Sequence, residues 1–106
     1  ISWDASNVIM PAKGPSMRIV HEWFAEQKIQ PNIYAKVSGN EAIVSMVALG
    51  LGIGFVPRIV LENSAVRNKV KSIPVSNIEA YSVGLCFLKE RAHEPLIQSI
   101  SHLFSQ

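Results

Sequence analysis

The residues best suited to bind a ligand lie in the loop Lys13-Gly14-Pro15-Ser16, between a predicted strand and a predicted helix. The first backbone N–H groups of a helix lack intrahelical acceptors and lie at the positive end of the helix dipole. With the Lys13 charge and the Ser16 hydroxyl, this loop could hold a small anion such as a carboxylate. The alternative is that Ser16 simply caps the helix.

A second loop, Ser38-Gly39-Asn40-Glu41, also follows a predicted strand and precedes a predicted helix. In open α/β sheets, loops of this kind share one edge of the sheet, and ligands bind there. The sequence therefore predicts a binding cleft at which the two loops meet. Neither loop has a nucleophile with a neighbouring base, so we expect binding without catalysis, no cofactor and no enzyme activity.

The other motifs favour structural roles. His21, His93 and His102 lack the spacing of a metal-binding helix, and a single cysteine, Cys86, excludes an intrachain disulfide or a CxxC site. We therefore expect no metal site, and we interpret Cys86 as a buried structural thiol. The run Gly50-Leu51-Gly52-Ile53-Gly54 follows a helix and opens a strand, the reverse of a dinucleotide fingerprint, so it predicts a tight turn with close packing.

The composition fits one domain, or part of one, with a hydrophobic core. The chain has 106 residues, of which 48% are hydrophobic and 17% charged, against about 25% charged in typical soluble domains. Its net charge of +2 is too small to predict nucleic-acid binding. The apolar run over residues 42–56 is shorter than the ~20 residues of a membrane helix and is interrupted by glycines, so we expect no membrane span.

Predicted strands and helices alternate along most of the chain. The strands are expected at residues 8–10, 33–38, 53–56, 70–75 and 80–88, and the helices at residues 16–28, 42–49, 57–62 and 94–104. Asn40 is expected to cap the second helix, Gly50 to end it in a left-handed conformation, and Pro74 to confine its strand to a sheet edge. This order predicts an α/β fold with a mostly parallel sheet flanked by helices.

Longer motifs resemble those of the LysR-type transcriptional regulators. Residues 37–57 end in the pattern V-A-x-G-x-G-I-x-x-x-P, and residues 83–91 and 94–97 resemble the closing strand and helix of that family. The resemblance covers essentially the whole chain and is strongest to activators of branched-chain amino-acid biosynthesis. It implies a Rossmann-like half of a type II effector domain resembling periplasmic binding proteins.

The resemblance also implies a site and a partner subunit. The residues that it places at the effector are Gly14, Pro15, Ser16, Met17, Ser38, Gly39 and Asn40. The implied effector is a small carboxylate, acetolactate or acetohydroxybutyrate. Family dimers imply a homodimer or higher oligomer with a subunit contact at Val20, Trp23, Phe24 and Tyr34, although Trp23 and Tyr34 could equally belong to the core.

The family architecture implies a division of the chain. Residues 1–88 would form the second effector-binding subdomain with its crossover strand, and residues 89–106 a return helix that packs on an absent first subdomain. Because the chain begins with Ile1, we expect a fragment whose DNA contact would be made by an absent N-terminal domain. The apolar face of the last helix, with Leu96, Ile100, Leu103 and Phe104, would then be uncovered unless it folds back or pairs with another copy, and we expect an oligomer or a swapped contact to cover it.

The sequence thus predicts the ligand-sensing part of a cytoplasmic, DNA-binding transcriptional regulator. One alternative is a solute-binding or transport-associated α/β domain, which would need a secretion signal upstream. Another is an enzyme subdomain whose catalytic residues lie elsewhere.

Overall fold

Five strands form one sheet in the computed structural model, which describes residue 3, residues 6–78 and residues 81–104. The strands lie across the sheet in the order β2-β1-β3-β5-β4. In chain order they are β1 (Asn7–Pro11), β2 (Asn32–Val37), β3 (Ile53–Pro57), β4 (Val70–Ile78) and β5 (Tyr81–Leu88). The helices are α1 (Gly14–Gln27), α2 (Asn40–Ala48), α3 (Arg58–Glu62) and α4 (Pro95–Phe104), with 3-10 turns at Arg67–Lys69 and Lys89–Arg91.

The sheet is mixed, which corrects the prediction of a mostly parallel one. β1 pairs in parallel with β2 and β3, whereas β5 pairs antiparallel with β3 and β4. β4 ends at Ile78 and β5 begins at Tyr81, and so short a connection cannot make the crossover of a dozen or more residues that parallel strands need. β4 and β5 therefore pair as a hairpin.

β4 lies at an edge of the sheet, as the proline within it predicted. The register with β5 shifts between Pro74 and Ser76, because a residue without a backbone N–H cannot continue the ladder. The opposite edge is β2, where Ile33 and Tyr34 are 40% and 51% exposed.

Helices cover both faces of the sheet, because side chains alternate between the faces along each strand. On the face that carries α1 and α4, the core consists of the cluster that includes Val8, Met10, Val20, Trp23, Phe24, Phe55, Leu85, Leu96, Ile97 and Ile100. On the face that carries α2 and α3, it includes Ile9, Ile43, Val44, Val47, Val56, Leu61 and Cys86. This two-sided burial explains why residues 42–56 are so apolar: they form α2 and β3. No helix within the described ranges is both long and apolar enough to cross a membrane.

The last helix, α4, packs on its own chain. Leu96, Ile97 and Ile100 are only 6%, 2% and 5% exposed, since α4 lies against β4 and packs in the same core cluster as α1. α4 therefore folds back on its own chain, which corrects, for Leu96 and Ile100, the prediction that an oligomer or a swapped contact covers them. Leu103 and Phe104, which the prediction also named, have side chains outside those that the structure describes.

A charged turn fixes the start of α4. Arg91 donates from Nε to both carboxylate oxygens of Glu94 at 3.0 Å, and from Nη2 to one of them at 2.7 Å. The hydrogen bonds from Arg91 lower the pKa of the Glu94 carboxyl. Because the folded-state pKa is lowered, the pair stabilises the turn at neutral pH, and this contribution is lost as the pH falls through that pKa.

α2 ends as the sequence predicted. Gly50 has φ +83, and its N–H donates to the Val47 carbonyl at 2.9 Å while the Leu51 N–H donates to Met46 at 3.1 Å. These two bonds form a Schellman motif, which turns the chain sharply into β3.

Candidate ligand-binding site at one edge of the sheet

The two predicted loops lie side by side at the same edge of the sheet. β1 and β2 pair in parallel from Asn7 with Asn32 to Pro11 with Val37, with one register shift between Val8 and Ile9. Directly beyond this pairing, the Ala12 N–H donates to the Val37 carbonyl at 3.0 Å. Neighbouring strands are about 4.8 Å apart, so the loop at residues 12–16 and the loop at residues 38–40 are adjacent. We call residues 13–17 together with residues 38–40 the two-loop site.

The first loop places backbone donors at the start of α1. Lys13 is the N-cap in an extended conformation, and among the described residues no side chain caps this helix end. The left-handed φ of +85 at Gly14 suits glycine, because a Cβ would strain that conformation. Gly14 and Pro15 are exposed, while Met17 is half-buried.

Ser16 has a different position from the one that simple capping requires. It lies inside the first turn of α1 rather than at the N-cap, and it is 3% exposed. Ser16 already has an interaction partner within the chain. The exposed surface of this loop therefore consists mainly of Lys13, Gly14 and Pro15.

The second loop places backbone donors at the start of α2. Gly39, with φ +108, is the N-cap, and Asn40 is the first helical residue, which corrects the prediction that Asn40 caps the helix. No side-chain cap is present at this end in the part of the chain that the structure describes. The first bond of the helix runs from the Ile43 N–H to the Gly39 carbonyl at 3.3 Å. Ser38 and Gly39 are exposed, and Asn40 is half-buried.

Two helix N-termini thus point toward the same edge. Their first amides have no acceptor inside the helix, and the helix dipoles make this edge favourable for negative charge. Lys13 adds an exposed cation next to them. The arrangement is suited to holding a small carboxylate by backbone hydrogen bonds and one charge.

A buried serine fixes the position of α2 beside this site. Ser64, which is fully buried, donates from Oγ to Glu41 Oε1 at 2.7 Å, and its Oγ accepts the Val66 N–H at 3.2 Å. Glu41 lies in the first turn of α2, so this pair links the second loop to the segment after α3. The sequence analysis missed Ser64, because 23 residues separate it from Glu41 and no local pattern marks it.

Replacement of Ser64 by alanine is expected to lower the free energy of unfolding by about 1–3 kcal/mol, since the hydrogen bond to the Glu41 carboxylate and the hydroxyl that accepts from the Val66 N–H are both lost. Urea denaturation followed by circular dichroism measures this change. Ser99→Ala, at an exposed position of α4, is the matched control and should change stability by less than about 0.5 kcal/mol. Equal stability of the two variants would contradict the structural role of Ser64.

The residues predicted at a subunit contact divide into two groups. Val20, Trp23 and Phe24 are 0%, 5% and 4% exposed, because α1 packs this side against the sheet. They belong to the chain's own core and are not on its surface, which corrects the prediction that they form a subunit contact. Tyr34, on the edge strand β2, is 51% exposed.

The remaining candidates are the three histidines, Cys86 and the glycines after α2. His21, His93 and His102 are exposed, and no group of three His, Cys, Asp or Glu side chains suited to a metal ion occurs among the residues described. Cys86 is fully buried, and burial raises the pKa of its thiol to about 12, which confirms a structural thiol. The glycines after α2 do allow close packing, since a Cβ at Gly52 would lie 2.6 Å from the Asn7 carbonyl oxygen.

Comparison with known proteins gives consistent matches. The family model described as "LysR substrate binding domain" matches residues 5–105. Over 101 residues the chain is 46% identical to the HTH-type transcriptional activator IlvY of Salmonella typhimurium and to the HTH-type transcriptional regulator IlvY of Escherichia coli K12. It is 33% identical over 101 residues to the IlvY activator of Haemophilus influenzae. No solved structure gives a significant match.

These matches cover 92–93% of this chain but 34–35% of the relatives. The chain therefore spans about a third of the length of the curated relatives that it matches. The relatives are regulators by name and not enzymes, which agrees with the expectation that the chain has no catalytic activity.

Proposed function

Because the chain belongs to the LysR substrate-binding domain family, we propose that it is the effector-sensing part of a transcriptional regulator related to the IlvY activators. The observation that carries this proposal is the position of the two loops at one sheet edge, where the Ala12–Val37 hydrogen bond joins them. Two helix N-termini and Lys13 at that edge form one wall of a cleft for a small anion.

The proposed effector is a small carboxylate, with acetolactate or acetohydroxybutyrate as the candidates. Each has one carboxylate, one carbonyl and one hydroxyl group on a short carbon chain. The carboxylate would accept hydrogen bonds from the amides at Gly14 and Gly39, which lie on exposed loops. These contacts hold the molecule without providing a nucleophile or a base, so the effector is sensed and not converted.

The other wall of the cleft and the DNA-binding domain are proposed to lie elsewhere in a longer protein. In such a protein α4 could exchange its packing on β4 for packing on the first effector subdomain. We also propose that the regulator acts as a homodimer, with the exposed edge strand β2 and Tyr34 at the subunit contact. Because the relatives are transcriptional regulators by name, we propose that the protein works in the cytoplasm.

The proposal is tested in the regulator that contains this chain, by replacing Gly39 with valine and Ser16 with alanine. A β-branched residue cannot adopt the φ of +108 at Gly39 without strain, so the amides at the start of α2 should be displaced. We expect the acetolactate concentration for half-maximal promoter activation to rise by about tenfold or more in Gly39→Val. Ser16→Ala should weaken the response less, because Ser16 is buried.

Affinity for operator DNA, measured by fluorescence anisotropy without effector, should be unchanged in both variants. Arg18→Gln, which removes an exposed charge from α1, is the control and should respond as the parent does. An unchanged effector response in Gly39→Val, or a loss of operator binding in it, would contradict the two-loop site.

A further inference from the structure

A pocket opens on the α2 and α3 face of the sheet, at β4 and β5. Its volume is about 320 Å³, and it is lined by Arg58, Ser72, Pro74, Ser82 and Gly84. In the strand order, β5 and β4 lie on the opposite side of β3 from β1 and β2, so this pocket is separate from the two-loop site. Its size is at the lower end of the range for small-molecule sites, about 300–1,000 Å³.

The pocket exists because small residues alternate along two paired strands. Pro74 lies opposite Gly84, and Ser72 lies opposite Cys86, which is fully buried under α2. α3 has only five residues, and of these Arg58 is the one among the described lining residues. Gly84 forms the floor, since a Cβ there would lie 3.3 Å from the Ser72 Cβ and would fill part of the space.

The chemistry of the lining suits an oxyanion. Arg58 provides a guanidinium whose planar donors match two oxygens of a carboxylate or phosphate. Ser72 provides a hydroxyl beside Gly84. The described lining residues include no carboxylate, although one of them, Arg58, forms an ion pair with Glu62.

Arg58 already forms an ion pair with Glu62, but another anion can replace Glu62 in this pair. Its Nε donates to Glu62 Oε2 at 2.9 Å, and the two side chains are 69% and 54% exposed. Exposed pairs of this kind are weak, because water and salt screen them. An oxyanion in the pocket can therefore replace Glu62 as the partner of Arg58.

We propose that this pocket binds a compact oxyanion, with the Arg58 guanidinium as its charged partner and the Ser72 hydroxyl as a second donor. The proposal goes beyond the effector site, because it uses neither of the two loops. Carboxylate and phosphate ligands share this chemistry, and the experiment below distinguishes them.

The test is a titration of the ¹⁵N-labelled 106-residue chain with sodium pyruvate and, separately, with inorganic phosphate, followed by NMR at constant ionic strength. We expect saturable shifts at the amides of Ser72, Ser82 and Gly84, with a dissociation constant in the millimolar range. Arg58→Gln should raise that constant about tenfold. Arg18→Gln, the matched charge control on α1, should leave it unchanged.

Two further variants change the pocket without removing Arg58. Gly84→Ala fills the floor and should weaken binding about fivefold, whereas Glu62→Gln removes the competing carboxylate and should strengthen it about twofold. Tighter binding of pyruvate identifies a carboxylate pocket, and tighter binding of phosphate identifies a phosphate pocket.

The proposal is overturned if neither probe gives saturable shifts at about 50 mM, or if Arg58→Gln binds as the parent does. Gly39→Val should bind both probes in this pocket as the parent does. The failure of this pocket can therefore be distinguished from a failure of the two-loop site.

Discussion

Replacement of Phe24 by alanine is expected to lower the free energy of unfolding by about 3–5 kcal/mol. The Phe24 ring packs between three other aromatic rings, with centroid distances of 5.2 Å to Trp3, 5.1 Å to Trp23 and 5.5 Å to Phe55. Phe24 is only 4% exposed, so its replacement by alanine leaves a cavity in the core, whatever the oligomeric state. Urea denaturation at two protein concentrations measures the loss.

Tyr34→Ala is the matched control, because the resemblance placed both aromatic residues at a subunit contact and the structure separates them. Tyr34 is 51% exposed on the edge strand, so its loss should cost less than about 1 kcal/mol. If β2 forms the proposed dimer contact, sedimentation equilibrium should show weaker self-association in Tyr34→Ala. A Phe24→Ala chain that kept its stability but lost self-association would contradict the assignment of Phe24 to the core.

A large effect is also expected for Gly52→Ala, at the start of β3. The new Cβ would lie 2.6 Å from the Asn7 carbonyl oxygen and 3.1 Å from its carbon. Both are backbone atoms of β1, so the contact can be relieved only by separating β1 from β3. We expect the free energy of unfolding to fall by about 3 kcal/mol, as for other overpacked sites, and the urea midpoint reports it.

Gly84→Ala is the control for Gly52→Ala, because it makes the same chemical change in a strand of the same sheet. The new Cβ at position 84 would lie 3.3 Å from its nearest neighbour, the Ser72 Cβ. A movement of only a few tenths of an ångström relieves this contact. The better strand propensity of alanine offsets this contact, so stability should change by less than about 1 kcal/mol. Similar losses in the two variants would show that contact with the β1 backbone is not the cause.

The predicted elements agree with the observed ones to within a few residues, because helix and strand periods are local properties. Trp23 and Phe24 recur at helical spacing with Val20, and these side chains do form the buried side of α1. The antiparallel direction of β5 was missed, although the short connection after β4 indicated a hairpin. The order of the strands depends on which of them pair, and residues close in sequence carry little information about that.

The position of the two loops was predicted correctly, since strands that run parallel bring their following loops to one edge. The direction and burial of the individual side chains were not predicted correctly. Ser16 was expected to donate from an open loop, but the first turn of α1 turns it inward and buries it. The Ser64–Glu41 hydrogen bond and the Arg58 pocket depend on segments distant in the sequence.

The sequence by itself determined the secondary elements, the buried thiol, the glycine turn after α2 and the family, because each depends on residue types at short, fixed spacings. Only the tertiary structure decided which apolar side chains are core and which are surface. Trp23 and Tyr34 are both aromatic, yet α1 buries one of them against the sheet, while the edge position of β2 leaves the other exposed. Burial depends on what packs against a residue, and this contact is made between parts of the chain that are far apart in sequence.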